Sequence, residues 1–289
     1  TLDTPDDLVF DHYQETAYPG QALGAPILGT ADIVKGMKKD TLEHYVRQYY
    51  TPARLVLAAA GNVGHDEFVR LAEGMFDSLP ADQTNGHQKA SYRGGENRAE
   101  KELEQSHIIL GFQGISRLDD KYYAAILLST LLGGGMSSRL FQEVREKRGL
   151  VYSIFCHHSA YQDDGQFVIY AGTGPADIPK MIPVLCDEIK KVVGTVTEEE
   201  LRRAKAQMRS GLLMAQESMM SRANQIAKTL IHHNKILDQQ DKLRRIEAVT
   251  VNDVQAIARM VFSTQPTLAA LGPLESLEDF ETIKGRLAA

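Results

Sequence analysis

Tryptophan is missing from the 289 residues, and cysteine occurs only twice, at Cys156 and Cys186. Two cysteines cannot build a disulfide framework, and their scarcity fits a reducing compartment in which both stay free thiols. Long apolar runs are missing too. The longest, Tyr122 to Leu132, is broken by Ser129 and falls short of the roughly 18–20 residues that a membrane span needs, so no membrane partner is expected. The opening TLDTPDD has neither the basic start nor the apolar centre of a signal peptide, and it begins on Thr1 rather than Met; the chain is expected to be processed or trimmed at its front. Positive charge is not in surplus. The 32 Lys and Arg against 38 Asp and Glu leave a net charge of −6, which argues against the clustered basic surface that duplex nucleic acid requires. Nine histidines are present, yet no HExxH or HxxEH occurs among them. What is there is an ordinary globular composition, 43% hydrophobic and 24% charged, which excludes wholesale disorder and low-complexity repeats. At roughly 150 residues per domain the length reads as one and a half to two domains.

The fractional answer has a counterpart in the pattern. DTLEHYVRQYY places Leu42, Tyr45, Val46 and Tyr49 on one helical face, with Asp40 as N-cap and Pro52 as the stop. RLVLAAAGN then reads as a short apolar strand ended by Gly61 and Asn62, and HDEFVRLAEGMF sets Phe68, Leu71, Ala72, Met75 and Phe76 on a second helical face. The same order returns near the end. TVNDVQAIARMVF has a capping-box start at Thr250 and Asp253, TLAALG is a strand after Pro266, and SLEDFETIKGRL is a helix. Two copies of one element order point to a duplicated domain. The second copy closes a domain of roughly 190 residues, whereas fewer than 90 residues precede Pro80, so residues 1–80 are expected to be the rear of a first domain.

Residues 81–97 are polar, hold Gly86, Gly94 and Gly95, and show no apolar periodicity; they read as a linker. Residues 98–289 then form a complete second domain. RAEKELEQ and SHIILGFQG are adjacent strand-like runs, DDKYYAAILLSTLLGGG is a buried helix and SSRLFQEVREKR another, and LVYSIFCHHSAY and GQFVIYAGTG are strands. Helices are predicted at about 176–193, 197–219 and 221–235. Strands in antiparallel-looking pairs followed by grouped helices give an α+β class, with an antiparallel sheet covered by helices.

Residues that could carry chemistry are few. The pairs His157–His158 and His232–His233 do not mimic a zinc motif, because strand neighbours point to opposite faces and helix neighbours diverge by about 100°. Cys156 beside His157 lacks a further partner for thiolate chemistry. Gly133-Gly134-Gly135 lacks the Lys-Ser/Thr of a phosphate loop and reads as a helix stop and tight turn. Leu201, Ala204, Met208, Leu212, Ala215 and Met219 are spaced as a core-facing stripe. Arg145 and Tyr152 stand on either side of a turn around Gly149, and both could donate to a peptide carbonyl. The plainer reading is that Arg145 complements a helix C-terminus and Tyr152 is a half-buried strand aromatic.

Three strings change that balance: DDLVFDHYQETAYPGQALGAPILG at residues 6–29, YYTPARLVLAAAGNVGHDEF at 49–68, and GGGMSSRLFQEVREKRGLVYSI at 133–154. With weaker matches between them, nearly the whole chain resembles the pitrilysin-like (M16) zinc metallopeptidases, in the branch of the mitochondrial processing peptidase β subunit and its bacterial relatives. The resemblance implies homologous α+β domains whose two halves close around a chamber for extended peptides. It implies an HxxEH motif and a distal Glu ligand in the first half, and an Arg and a Tyr seven residues apart in the second. Arg145 and Tyr152 have that separation, and the resemblance makes them substrate-positioning and oxyanion-stabilising donors.

On the same resemblance the HxxEH motif would lie well before residue 1 and the distal Glu just before DDLVFDHY; Glu15 is no substitute for it. The intact parent is therefore expected to be a zinc-dependent endopeptidase. This chain alone is expected to hold no catalytic zinc and to cleave nothing. The alternative is a catalytically silent paralogue that pairs with an active subunit. Peptide substrate and a homo- or heterodimer of family subunits are the implied partners. The implied location is the bacterial cytoplasm, or the mitochondrial matrix if the source is eukaryotic.

Overall fold

The computed structural model describes residues 3–81 and 88–288. Four helices, α1 (Pro5–Ala17), α2 (Ala31–Gly36), α3 (Lys39–Tyr49) and α4 (His65–Phe76), precede the strands β1 (Gly95–Glu100) and β2 (Ser106–Gln113). Then come α5 (Tyr122–Gly133), a π-helical turn (Phe141–Glu146), β3 (Ser153–Ala160), β4 (Gly165–Thr173), α6 (Ile178–Thr195), α7 (Glu198–Met214), α8 (Met219–His233), α9 (Gln239–Ala248), α10 (Val251–Phe262), β5 (Thr267–Gly272) and α11 (Phe280–Ala288). The described residues form two compact units. One takes those of Thr1–Pro26, Ala90–Arg209 and Leu243–Ala289; the other takes those of Ile27–Lys89 and Ser210–Lys242.

The first unit is built on a five-stranded sheet of order β1-β5-β2-β4-β3. The class is α+β, as expected, but the sheet is mixed: β2–β4, β2–β5 and β3–β4 run antiparallel, while β1 runs parallel to β5. The physical reason is distance along the chain. β3 and β4 are hairpin neighbours, whereas β1 and β5 are separated by most of the unit and are free to pair in either sense. Alternation along each strand divides the core into two faces. Ile108, Leu110 and Phe112 of β2 point to one side, where the Phe112 and Phe167 rings meet Phe262 at the end of α10 at 5.0 and 5.4 Å. There α5, α6 and α10 supply a buried helical layer, and α10 starts with the capping box expected at Thr250 and Asp253. Ile109 of β2, Val168 and Tyr170 of β4 and Ala269 and Leu271 of β5 point to the other side, against Val9, Tyr13 and Ala17 of α1. Those three helix positions recur every four residues and form one stripe.

The start of residues 81–97 lies partly outside the described residues, at 82–87. Its tail is structured. Gln21 and Ser91 exchange side chain to backbone hydrogen bonds at 2.8 Å, the Tyr92 hydroxyl lies 2.6 Å from Thr267 Oγ1, and β1 already begins at Gly95.

In the second unit the two expected helices form at α3 and α4, but their apolar faces stay open: Leu42, Tyr45, Leu71 and Met75 are exposed. The strand expected over RLVLAAAGN does not form. Leu55 is extended, but residues 56–60 belong to no strand and make no backbone hydrogen bond among the described residues. A strand exists only through its neighbours, and none lies beside this one. Asp40 is not the N-cap, since α3 starts one residue earlier at Lys39; Asp40 serves its first turn. The helix expected over 197–219 stops at Met214, and Ser218 caps α8 by accepting from Ser221 N. The stripe from Leu201 to Met219 accordingly fades, from buried at Leu201 and Ala204 to exposed at Met219.

Candidate functional site

Arg145 lies in the π-helical turn and Tyr152 just ahead of β3. The wide turn is visible in its hydrogen bonds: Lys147 N–H donates to Gln142 O at 3.0 Å, and Leu150 N–H to Val144 O at 3.0 Å. Gly149, at φ +64°, reverses the chain between the two residues, a conformation that a side chain would resist. Beyond it Tyr152 N–H donates to Gly172 O at 2.8 Å, which fixes the tyrosine backbone at the head of the edge strand.

Both side chains face solvent, Arg145 at 42% exposure and Tyr152 at 63%. The Arg145 guanidinium lies 4.8 Å from the Phe141 ring centroid and only 4.0 Å from the Glu146 carboxylate, too far for a hydrogen bond. No hydrogen bond joins Arg145 to Tyr152. The structure therefore brings the two to opposite ends of one turn as separate donors, with their donor capacity turned outward. Tyr152 is not the half-buried strand aromatic of the plainer reading.

What holds this turn was not expected. Arg139, six residues before Arg145, donates from Nε and Nη2 to the two Glu200 oxygens at 2.6 and 2.8 Å, and from Nη1 and Nη2 to Thr195 Oγ1 and O at 2.9 and 2.7 Å. Glu200 also accepts from Thr197 N and Oγ1, both at 2.9 Å. This bidentate clamp ties the start of the turn to the α6–α7 connection. Sequence spacing carries no signal for it, because the partners are 61 residues apart.

The other sequence candidates sit in structural roles. Adjacent strand positions send His157 and His158 to opposite faces of β3. The His157 ring lies tilted against Phe10, 6.0 Å between ring centres, whereas His158 Nε2 accepts from Ile115 N–H at 3.2 Å. Burial lowers the His157 pKa and pushes that of His158 down to about 4. Burial also pushes the Cys156 thiol well above its usual range and Cys186 up to about 12, so neither is poised as a thiolate nucleophile. His232 and His233 end α8, where positive charge suits the helix C-terminus. Gly133 closes α5, and a Cβ there would lie 2.5 Å from Cys156 Cβ. The glycine run is a helix stop and a close-packing point. Among the described residues no group of three or more His, Cys, Asp and Glu could hold a metal ion, and the histidine geometry does not fit zinc. No helix among them is long and apolar enough to cross a membrane.

A sequence profile described as the Peptidase M16 inactive domain matches residues 36–208. The chain belongs to the peptidase M16 family. An "uncharacterized zinc protease" of Streptomyces coelicolor is 38% identical over 285 residues, 95% of this chain and 62% of the relative. Another of Rickettsia felis is 38% identical over 272 residues, and YmxG of Bacillus subtilis, also named a zinc protease, is 36% identical over 279; each comparison spans 94% of this chain and 66% of the relative. The chain thus spans about two thirds or less of the length of the curated relatives it matches. Among solved structures, a chain of "Complex III2 from Candida albicans, Inz-5 bound" shares the fold with a TM-score of 0.88 at 23% identity, covering 99% of this chain and 71% of that one.

Proposed function

We propose that this chain is the substrate-binding part of a zinc-dependent M16 endopeptidase, in the branch of the processing peptidase β subunit, with Arg145 and Tyr152 holding the peptide. The observation that carries the reading is the outward-turned donor pair on a turn clamped by Arg139. A guanidinium and a phenol presented to solvent from a held backbone turn can donate to negative charge developing on a scissile carbonyl. In this reading residues 1–80 are the rear of a first peptidase-like domain, 81–97 the connection, and 98–289 the second domain. The parent acts on peptides in a chamber between homologous halves, alone or as a homo- or heterodimer, in the bacterial cytoplasm. Zinc belongs to the parent, whose relatives are named zinc proteases. Among the described residues no group of side chains is arranged to hold that ion, and their part is to bind and orient the peptide.

The test is kinetic, on the zinc-loaded parent. Arg145→Ala and Tyr152→Phe should each lower kcat/KM on peptide substrates at least tenfold, which corresponds to about 1.4 kcal/mol, while leaving the unfolding midpoint unchanged. Wild-type kcat/KM in both variants refutes the assignment. A second reading, a silent paralogue that binds substrate for an active partner, is favoured by the description of the matched domain as inactive. A chelator-sensitive peptidase activity in the parent decides against it.

A further inference from the structure

The turn that carries Arg145 has two faces. Leu140 and Val144 are fully buried and fill the core side. Phe141 and Arg145 each follow one of them and are themselves four residues apart, so they share the neighbouring face, where Phe141 is half-buried and Arg145 is open to solvent. Leu140 and Val144 close the core, which leaves the aromatic residue at 141 without a core role. Among the described residues the Phe141 ring meets no other aromatic ring; its ring contact is the Arg145 guanidinium, 4.8 Å from the centroid.

The charges on the turn leave Arg145 to that ring. Glu143 is engaged by other cations: it accepts from Lys147 Nζ and, at 2.7 Å, from Arg148 Nη1, which also donates to Glu143 O at 2.7 Å. Glu146 comes no closer to Arg145 Nη1 than 4.0 Å. The Arg145 side chain therefore makes no hydrogen bond among the described residues, and its charged end lies over a phenyl ring. For a donor the difference matters. A carboxylate occupies the N–H fork of a guanidinium with two acceptors, whereas a ring face attracts the cation through its quadrupole and leaves the fork for another acceptor. The contact also removes, before any peptide arrives, part of the rotamer freedom that binding would otherwise have to remove.

We propose that Phe141 is the positioning residue for Arg145: its ring face holds the guanidinium over the turn with the N–H donors unoccupied, so that a peptide carbonyl meets an oriented cation. This role rests on the reading of Arg145 as a substrate donor and adds the group that orients it. Phe141 acts through Arg145 and makes no contact with the peptide of its own.

Kinetics on the zinc-loaded parent and NMR on the chain itself test it. In the parent, Phe141→Leu should lower kcat/KM on peptide substrates about two- to fivefold, the weight of an exposed cation–π contact, whereas Phe141→Tyr, which keeps the ring face, should stay within about twofold of wild type. Phe141→Glu should lose more than the leucine variant at an unchanged unfolding midpoint, because a carboxylate four residues before Arg145 occupies its donors. In the Arg145→Ala background Phe141→Leu should have no further effect, a result that a merely structural ring would not give. In the chain alone, the Arg145 side-chain protons should show an upfield ring-current shift that Phe141→Leu removes. A tenfold loss in Arg145→Ala with none in Phe141→Leu overturns the proposal and leaves the substrate-binding reading standing. Equal losses from Phe141→Leu with and without Arg145, or no ring-current shift, also overturn it. Wild-type kcat/KM in Arg145→Ala refutes the reading of Arg145 and the proposal together.

Discussion

Replacing Arg139 with Met removes four hydrogen bonds while keeping most of the aliphatic stem. The Arg139 and Glu200 side chains are 12% and 17% exposed, so the pair is partly buried and loss of one partner costs less than the ~3–5 kcal/mol of a fully buried pair. Glu200 keeps its two bonds from Thr197, which brings the expected loss for Arg139→Met to about 2–3 kcal/mol. Arg139→Lys should lose less, about 1–2 kcal/mol, because an ammonium cannot reach both oxygens and Thr195 at once. Urea unfolding reads these values, and the double variant with Glu200→Gln reads the coupling, which should exceed about 1 kcal/mol. The pH dependence follows with a definite sign. Burial by itself raises the Glu200 carboxyl, but the bonds from Arg139 and Thr197 outweigh it and hold the pKa below the ordinary value. A depressed carboxylate stabilises the fold above the ordinary Glu value of about 4.3 and loses that contribution as acid protonates the folded state. Arg139→Met should therefore flatten the acid limb. A loss below about 0.5 kcal/mol, or one that persists unchanged when Glu200 is already Gln, refutes the clamp.

Gly133→Ala gains about 1 kcal/mol of helix propensity but sets a Cβ 2.6 Å from the Cys156 backbone nitrogen; a net loss of about 1–2 kcal/mol in urea unfolding is expected, and a stabilised variant contradicts the close packing of α5 on β3. His158, with its pKa pushed down to about 4 against an ordinary value near 6.5, stays neutral in the fold while the unfolded chain takes up a proton. Stability should fall by up to about 3 kcal/mol as pH drops from 6.5 to 4 and then level; His158→Gln should remove that part of the slope, and an unchanged profile counts against it.

Several elements of the unit that holds β1 to β5 were legible in the sequence because their signals are local. The capping box at Thr250, the glycine stop after Leu132 and the strand-like run SHIILGFQG each act over a few residues, and each forms where expected. The parallel β1–β5 pairing was not legible, since register between distant strands leaves no mark on either one. The strand at RLVLAAAGN failed for the complementary reason: its pattern is right, but pairing depends on residues that are not beside it. The site divides in the same way. Seven-residue spacing brought out Arg145 and Tyr152 only once a family resemblance gave it meaning, while the Arg139–Glu200 clamp exists only in three dimensions.

The helix α1 marks the largest difference between sequence order and packing. By resemblance, residues 6–29 belong with a first domain, yet Val9, Tyr13 and Ala17 are fully buried on the sheet of the unit that holds β1 to β5. The deciding contact is a glycine. A Cβ on Gly111 of β2 would lie 2.2 Å from the Tyr13 ring, so Tyr13 reaches the sheet only because position 111 has no side chain. Burial of Val9 and Tyr13 at about 1.5–3 kcal/mol each gives α1 about 3–6 kcal/mol of docking energy. Gly111→Ala sets that against overpacking of about 1–3 kcal/mol. The helix should stay docked but loosened, with a urea-derived loss in the range of the overpacking cost and faster proteolytic cleavage between residues 5 and 26. Wild-type stability together with unchanged cleavage refutes the contact, whereas a loss of the full docking energy means that Tyr13 alone holds the helix in place.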